Sequence, residues 1–142
     1  MSEDCCVPEG NIMILACSGG SNVGQLTNQA AVELTQEGWG KMFCLAGIGG
    51  HLSGFVQSAK DAPQVVVLDG CEIGCARAVL EQAEIPLRTY ILVTDMGIEK
   101  NRDFNLKRED IQKLKATVKE KLQQNRHDDF PMIRNNRDGC CC

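Results

Sequence analysis

Three cysteines recur at an interval of 27 residues through the middle of the sequence. Cys17, Cys44 and Cys71 each end or follow a short apolar run, and a glycine comes two or three residues after each one. Cys75 adds a fourth thiol four residues after Cys71. A set of four thiolates suits zinc or an iron–sulfur cluster, and the absence of a clustered ferredoxin-like spacing favours zinc. The Cys-x3-Cys pair alone is weak evidence, because most zinc knuckles and thioredoxin-like sites use Cys-x2-Cys.

Other chemistry is open for the same thiols. Cys71 and Cys75 could form a redox pair, and Cys17 could be an enzyme nucleophile above a glycine-rich loop. Three cysteines could also hold zinc with an open coordination position. Proton transfer would then fall to Asp69 or His51, although an aspartate there can simply shape a turn and a histidine can simply lie on the surface. Any single cysteine could instead be a small buried hydrophobe.

The apolar pattern predicts that these thiols lie at the ends of strands. We predict strands over 11–17, 41–46, 65–68 and 87–94, and helices over 23–37, 52–60, 74–82 and 106–122. Alternating strands and helices favour one α/β domain, a three-layer sandwich with a mostly parallel, doubly wound, Rossmann-like sheet of four strands. Ligands of such sheets bind at the carboxyl ends of the strands, where the strand order reverses.

This architecture can bring the four thiols together. Neighbouring strands lie about 4.8 Å apart, and the sulfurs around a tetrahedral zinc ion are separated by roughly 3.8 Å. If the first strand lies between the second and third, Cys17, Cys44 and Cys71 come close to that separation. Cys75 can approach from the start of the third helix, where the helix dipole favours a thiolate. We therefore predict Cys17, Cys44, Cys71 and Cys75 as metal ligands.

A glycine-rich loop follows the first predicted strand. The segment CSGGSNVGQLTNQA, residues 17–30, opens a helix whose free N–H groups could bind a small anionic ligand. It is not a Walker A loop, because Gly-Lys-Ser/Thr is absent. Ser18, Ser21 and Asn22 either cap the helix or bond to a ligand or a thiolate. Lys100, after the fourth strand, either faces the crevice or is a solvated surface lysine.

Composition limits the class of protein. The chain has 142 residues, a net charge of -4 with both signs scattered, and 4% aromatic residues. These values argue against a nucleic-acid partner, which needs a basic surface. We expect no membrane span, because no apolar run approaches about 20 residues. The cysteine count of nine is odd, and the acidic start of the sequence, MSEDCCVPEG, is unlike a signal peptide, so we expect a reducing, cytoplasmic location.

The composition also changes towards the two ends of the chain. We divide it into a short N-terminal extension at 1–10, an α/β zinc-binding domain at 11–122 and a flexible, cysteine-containing tail at 123–142. The terminal cysteines could add thiols to a metal site or could be exposed thiols without a role. They are Cys5, Cys6, Cys140, Cys141 and Cys142.

The sequence resembles the DGC family, which is named for an Asp-Gly-Cys motif. That motif stands here at Asp69-Gly70-Cys71, and the family's cysteine pattern matches the four central cysteines. The loop that begins at Cys17 and the segment TDMGIEK, residues 94–100, are also similar to the family's motifs. The resemblance covers about 11–122 and implies zinc binding through the four cysteines, with no reaction defined. The terminal cysteines lie outside its pattern.

Overall fold

The computed structural model describes residues 12–129, and the side chains of residues 12–125. These residues form four strands and five α-helices, and a short 3₁₀ helix, Val93–Met96, follows the last strand. In chain order the elements are β1 Ile12–Ala16, α1 Asn22–Gln36, β2 Lys41–Met42, α2 Leu45–Gly49, α3 Ser53–Asp61, β3 Gln64–Asp69, α4 Cys75–Gln82, β4 Thr89–Leu92 and α5 Arg108–Asp129.

The four strands form one parallel sheet in the order β2-β1-β3-β4. The predicted α/β class and doubly wound, Rossmann-like sheet are confirmed. Ile14 of β1 pairs with Met42 on one side and with Val66 on the other. The first strand therefore lies between the second and the third, as the four-thiol arrangement requires. The chain leaves β1 in one direction and later returns past it, so the strand order reverses between β1 and β3.

Helices cover both faces of the sheet and create two apolar cores. Ile12 and Ile14 join a core with α1 and α5, whereas Leu15 joins a second core with α2, α3 and α4. The division follows from the alternation of side chains along a strand. In β3 the side chains of Val65–Leu68 are apolar and buried on both faces, as expected of a strand covered on two faces. Among the described residues, no helix is both long and apolar enough to cross a membrane.

The second and fourth predicted strands are each four residues too long. The second was expected over 41–46, but it ends at Met42, and helix α2 begins at Leu45. Helix α2 packs closely against α3, since a Cβ atom at Gly47 would lie 2.6 Å from the ring of Phe55. The fourth, expected over 87–94, spans Thr89–Leu92 before the chain tightens into the 3₁₀ helix.

The last helix differs from the prediction at both ends. It begins at Arg108 rather than Leu106 and continues to Asp129, so the first seven residues of the predicted tail are helical. Its predicted apolar stripe is confirmed, because Ile111, Leu114, Val118 and Leu122 are all buried. The division into an extension, a domain and a tail stays a prediction. The terminal cysteines lie outside the described residues.

An ionic network joins α1 to α5. Both carboxylate oxygens of Glu33 accept hydrogen bonds from the guanidinium of Arg108, at 2.6 and 2.8 Å. Lys115, whose side chain is 3% exposed, bridges Glu33 at 3.1 Å and Glu37 at 2.5 Å. The hydrogen bonds from Arg108 are the main cause that lowers the pKa of Glu33 from 4.5 to about 2. This charge cluster therefore needs Glu33 to be ionised.

Replacing Glu33 should destabilise the fold in a pH-dependent way. We expect Glu33→Gln to lower the free energy of unfolding by about 1–2 kcal/mol at pH 7, since Lys115 stays buried with one carboxylate fewer. A carboxyl group with a lowered pKa stabilises the folded state above pH 4.5, and this stabilisation is lost as the pH falls towards 2. Urea unfolding at several pH values should show the two proteins converging over that range.

Glu81→Gln is the matched control. Glu81 forms an exposed pair with Arg77 at 3.9 Å, so its loss should change the free energy of unfolding by less than about 0.5 kcal/mol. Equal effects of the two substitutions at pH 7 would contradict the role given to Glu33.

Candidate functional site

A cleft of about 120 Å³ opens at the carboxyl ends of β1 and β3. Its walls come from the loop at 17–24, the turn at 69–75 and the side chain of Lys100. This is the place where the strand order reverses, the usual ligand crevice of a doubly wound sheet. Cys17, Cys71 and Cys75 all line the cleft.

Two glycines allow the walls of the cleft to touch. A Cβ atom at Gly70 would lie 2.7 Å from the backbone nitrogen of Gly24. A Cβ atom at Gly24 would lie 2.5 Å from the carbonyl oxygen of Gly19. No larger residue fits either position without a shift of the backbone. These close approaches hold the loop that carries Cys17 beside the turn that carries Cys71.

The first loop fixes Cys17 against helix α1. The Sγ atom of Cys17 lies 3.6 Å from Oγ1 of Thr27, and the backbone N–H of Ser18 donates to the same oxygen at 3.2 Å. The Thr27 hydroxyl itself donates to the carbonyl of Gly24 at 2.6 Å. Ser18 has a φ of 51°, a left-handed conformation that is uncommon for a side-chain-bearing residue. Ser21 caps α1 by accepting from the N–H of Gly24 at 3.1 Å.

The second wall carries two thiols. Cys71 is half-buried, and its Sγ atom lies 3.4 Å from Nζ of Lys100, which donates to it. Lys100 therefore faces the crevice, one of the two placements that the sequence left open. Cys75 is exposed at the first turn of α4, directly after Gly74 in a left-handed conformation with φ 68°.

The buried carboxylate of Asp69 holds the turn that carries Cys71 and Cys75 through hydrogen bonds. Asp69 is 1% exposed, and its carboxylate accepts from the backbone N–H groups of Ala76 and Arg77 at 2.9 and 3.0 Å. Gly74, which precedes α4, has no side chain to cap the helix, and Asp69 supplies the missing acceptor. Tyr90 donates a third hydrogen bond to Asp69 at 2.8 Å. Burial, together with this carboxylate, raises the pKa of the Tyr90 hydroxyl.

The other two candidates lie away from the cleft. Cys44 is the exposed residue that precedes α2 and does not line the cleft, although β2 lies next to β1. Its predicted place as a fourth ligand stays a prediction. His51, also exposed, has a φ of 54° between α2 and α3 and does not line the cleft either.

The donor atoms of the cleft suit a soft metal ion. Three thiols and no imidazole line it, and thiolates select zinc over hard cations. Within residues 12–125, however, no three His, Cys, Asp or Glu side chains are already placed to hold a metal ion. The residues therefore fit zinc by type and by location, without forming a closed cage.

The contacts of two residues near the cleft could not be predicted from the sequence. Tyr90 lies on β4, 21 residues from the aspartate that it contacts, and no local pattern marks that pairing. Asn22 looks like a cap, but its side chain bonds to the backbone at 99 and 101, more than 70 residues away. The parallel pairing of β3 with β4 is what places both segments near the cleft.

Comparison with known proteins identifies a family and a relative of this chain. The family model of the DGC domain matches residues 13–118. The chain is 30% identical over 102 residues to the anaerobic and virulence modulator AnvM of Pseudomonas aeruginosa, a match that covers 72% of this chain and 78% of that protein. No solved structure matches the chain. The Asp-Gly-Cys motif lies at the end of β3, on the wall of the cleft.

Substitution of Asp69 should loosen the turn that carries the two thiols. We expect Asp69→Asn to lower the free energy of unfolding by about 1–3 kcal/mol, because an amide N–H would face buried donors. Tyr90→Phe removes one of the three hydrogen bonds and should cost about 1 kcal/mol. Urea unfolding at pH 7 measures both. An Asp69→Asn protein that is no less stable than Tyr90→Phe would contradict the capping role.

Proposed function

Because the chain belongs to the DGC domain family, we propose that it binds Zn²⁺ through Cys17, Cys71 and Cys75, with Cys44 as the fourth ligand. The family is named for the Asp-Gly-Cys motif, and the motif's cysteine, Cys71, lines the cleft together with two other thiols. The single observation that carries the proposal is the convergence of three thiols from two strand ends on one cleft. Bound zinc would supply a charge that holds these thiolates together.

The surroundings of the thiols support an ion that can enter and leave. Cys17 and Cys71 are half-buried and Cys75 is exposed, so the cleft is open to solvent. The fold also has two apolar cores of its own, unlike a zinc finger, which depends on metal for its folding. These two features favour metal sensing or transfer over a purely structural ion.

Cys44 can be the fourth zinc ligand only if it lies closer to the cleft in the zinc-bound protein than it does in this structure. It stands at the end of the neighbouring strand, two residues beyond Met42, and is exposed. The segment between β2 and α2 would have to shift, and this would disturb the packing of Phe43 and Leu45, on either side of Cys44, against the second core. We propose that this segment moves towards the cleft when zinc binds.

Other functions have less support. An enzyme that used Asp69 as a general base would have to break hydrogen bonds to both carboxylate oxygens. His51, the other predicted base, does not line the cleft. The relative in Pseudomonas aeruginosa is named as an anaerobic and virulence modulator, and a sensing role for this chain agrees with that name. A small anion at the glycine-rich loop and a cytoplasmic location remain proposals.

Zinc titration of the metal-free, reduced protein tests the proposal. We expect the wild type to bind about one zinc ion per chain and Cys71→Ser to bind at least about tenfold more weakly, because serine is a poor zinc ligand. Competition with a chromophoric chelator measures both affinities. Cys44→Ser should also weaken binding if Cys44 is the fourth ligand.

The matched control replaces all five terminal cysteines with serine and keeps the four central ones. It should bind zinc as the wild type does. A wild type that takes up no zinc, or a control that loses its zinc while Cys71→Ser keeps it, would overturn the proposed site.

A further inference from the structure

We propose that Lys100 is the charge-balancing and positioning residue of the cysteine site, and that Asn22 holds it in place. The inference rests on the proposed zinc binding and adds a residue that no cysteine pattern marks. Its basis is a direct contact, since Nζ of Lys100 donates to Sγ of Cys71 at 3.4 Å. The lysine reaches the cleft from the loop after β4, 29 residues beyond Cys71.

Asn22 forms hydrogen bonds with the backbone on both sides of Lys100. Its side-chain amide donates to the carbonyl of Glu99 at 2.8 Å and accepts from the N–H of Asn101 at 2.6 Å. The backbone N–H of Asn22 also donates to the carbonyl of Asn101 at 3.0 Å. Three hydrogen bonds therefore join the first residue of α1 to the two neighbours of the lysine. Asn22 is only 9% exposed, so water competes weakly with these bonds.

The loop is also held near its start. Gly97 has a φ of 79°, which ends the 3₁₀ helix and turns the chain towards the cleft. Lys113 on α5 donates to the carbonyl of Met96 at 2.6 Å, just before this turn. The backbone around Lys100 is thus fixed from two helices, and its long side chain reaches Cys71 from this fixed position.

The positive charge of Lys100 would offset the negative charge of a zinc–thiolate site. Zinc with three thiolates carries one net negative charge, and with four thiolates it carries two. A half-buried cleft solvates that charge less well than bulk water does. An ammonium group that donates to one of the sulfurs offsets part of the charge and orients the thiolate. Partners of metal ligands typically change metal affinity by 10–100-fold when they are removed.

Zinc affinities of lysine variants test the inference. In the full chain, we expect Lys100→Met to bind zinc about 10–100-fold more weakly than the wild type, with the same stoichiometry at saturation. Lys100→Arg keeps a donor and a positive charge and should restore most of the affinity. Lys107→Met is the matched control, because it removes the same charge from the same loop but lines a different cavity. It should bind zinc as the wild type does.

A double-mutant cycle tests the part played by Asn22. Asn22→Ala should also weaken zinc binding, and Asn22→Ala with Lys100→Met should be no weaker than Lys100→Met alone. Circular dichroism shows whether each variant is folded, and additive losses in folded proteins would overturn the positioning role of Asn22. Equal affinities of Lys100→Met and the wild type would overturn the role of Lys100 while leaving the zinc site intact. A wild type without zinc would overturn both proposals.

Discussion

The contact between Gly70 and the start of α1 is the constraint on which the site depends. Parallel strands β1 and β3 are neighbours, but their side chains alone would not bring the following loops together. The backbones at Gly24 and Gly70 approach so closely that neither position has room for a Cβ atom. This approach closes the walls of the cleft and places Cys17 beside the turn with Cys71 and Cys75. Asp69 then fixes that turn to α4 and β4 through three hydrogen bonds.

The sheet and most helices follow from the sequence because β1 and β3 are continuous apolar runs and the helices have clear apolar stripes. The sequence alone did not determine the strand order, which could only be assumed. The positions of Cys17, Cys44 and Cys71 depend on that order. The surroundings of Cys44 could not be predicted from the local apolar pattern. The run KMFCLA is apolar enough for a strand, but its strand is at the sheet edge and ends at Met42. Residues Leu45–Gly49 form helix α2 there instead, with Gly47 packed against the ring of Phe55.

The polar part of the site was harder to predict, since its contacts join segments that are distant in the chain. Asp69 could be assigned to a turn or to proton transfer from sequence alone, and only its burial and its three donors favour the turn. Lys100 could face either the cleft or the solvent. Its direction depends on the bonds from Asn22, which no spacing rule reveals. Such contacts between distant segments can be predicted only when the relative positions of β3, β4 and α1 are known.

Crystals of the zinc-loaded protein, measured on both sides of the zinc absorption edge, test the central claim most directly. The account predicts one anomalous peak in the cleft, at about 2.3 Å from the Sγ atoms of Cys17, Cys71 and Cys75. A fourth sulfur from Cys44 at the same distance would complete the proposed set. A peak elsewhere on the chain, or no peak in protein that carries zinc at saturation, would contradict the account.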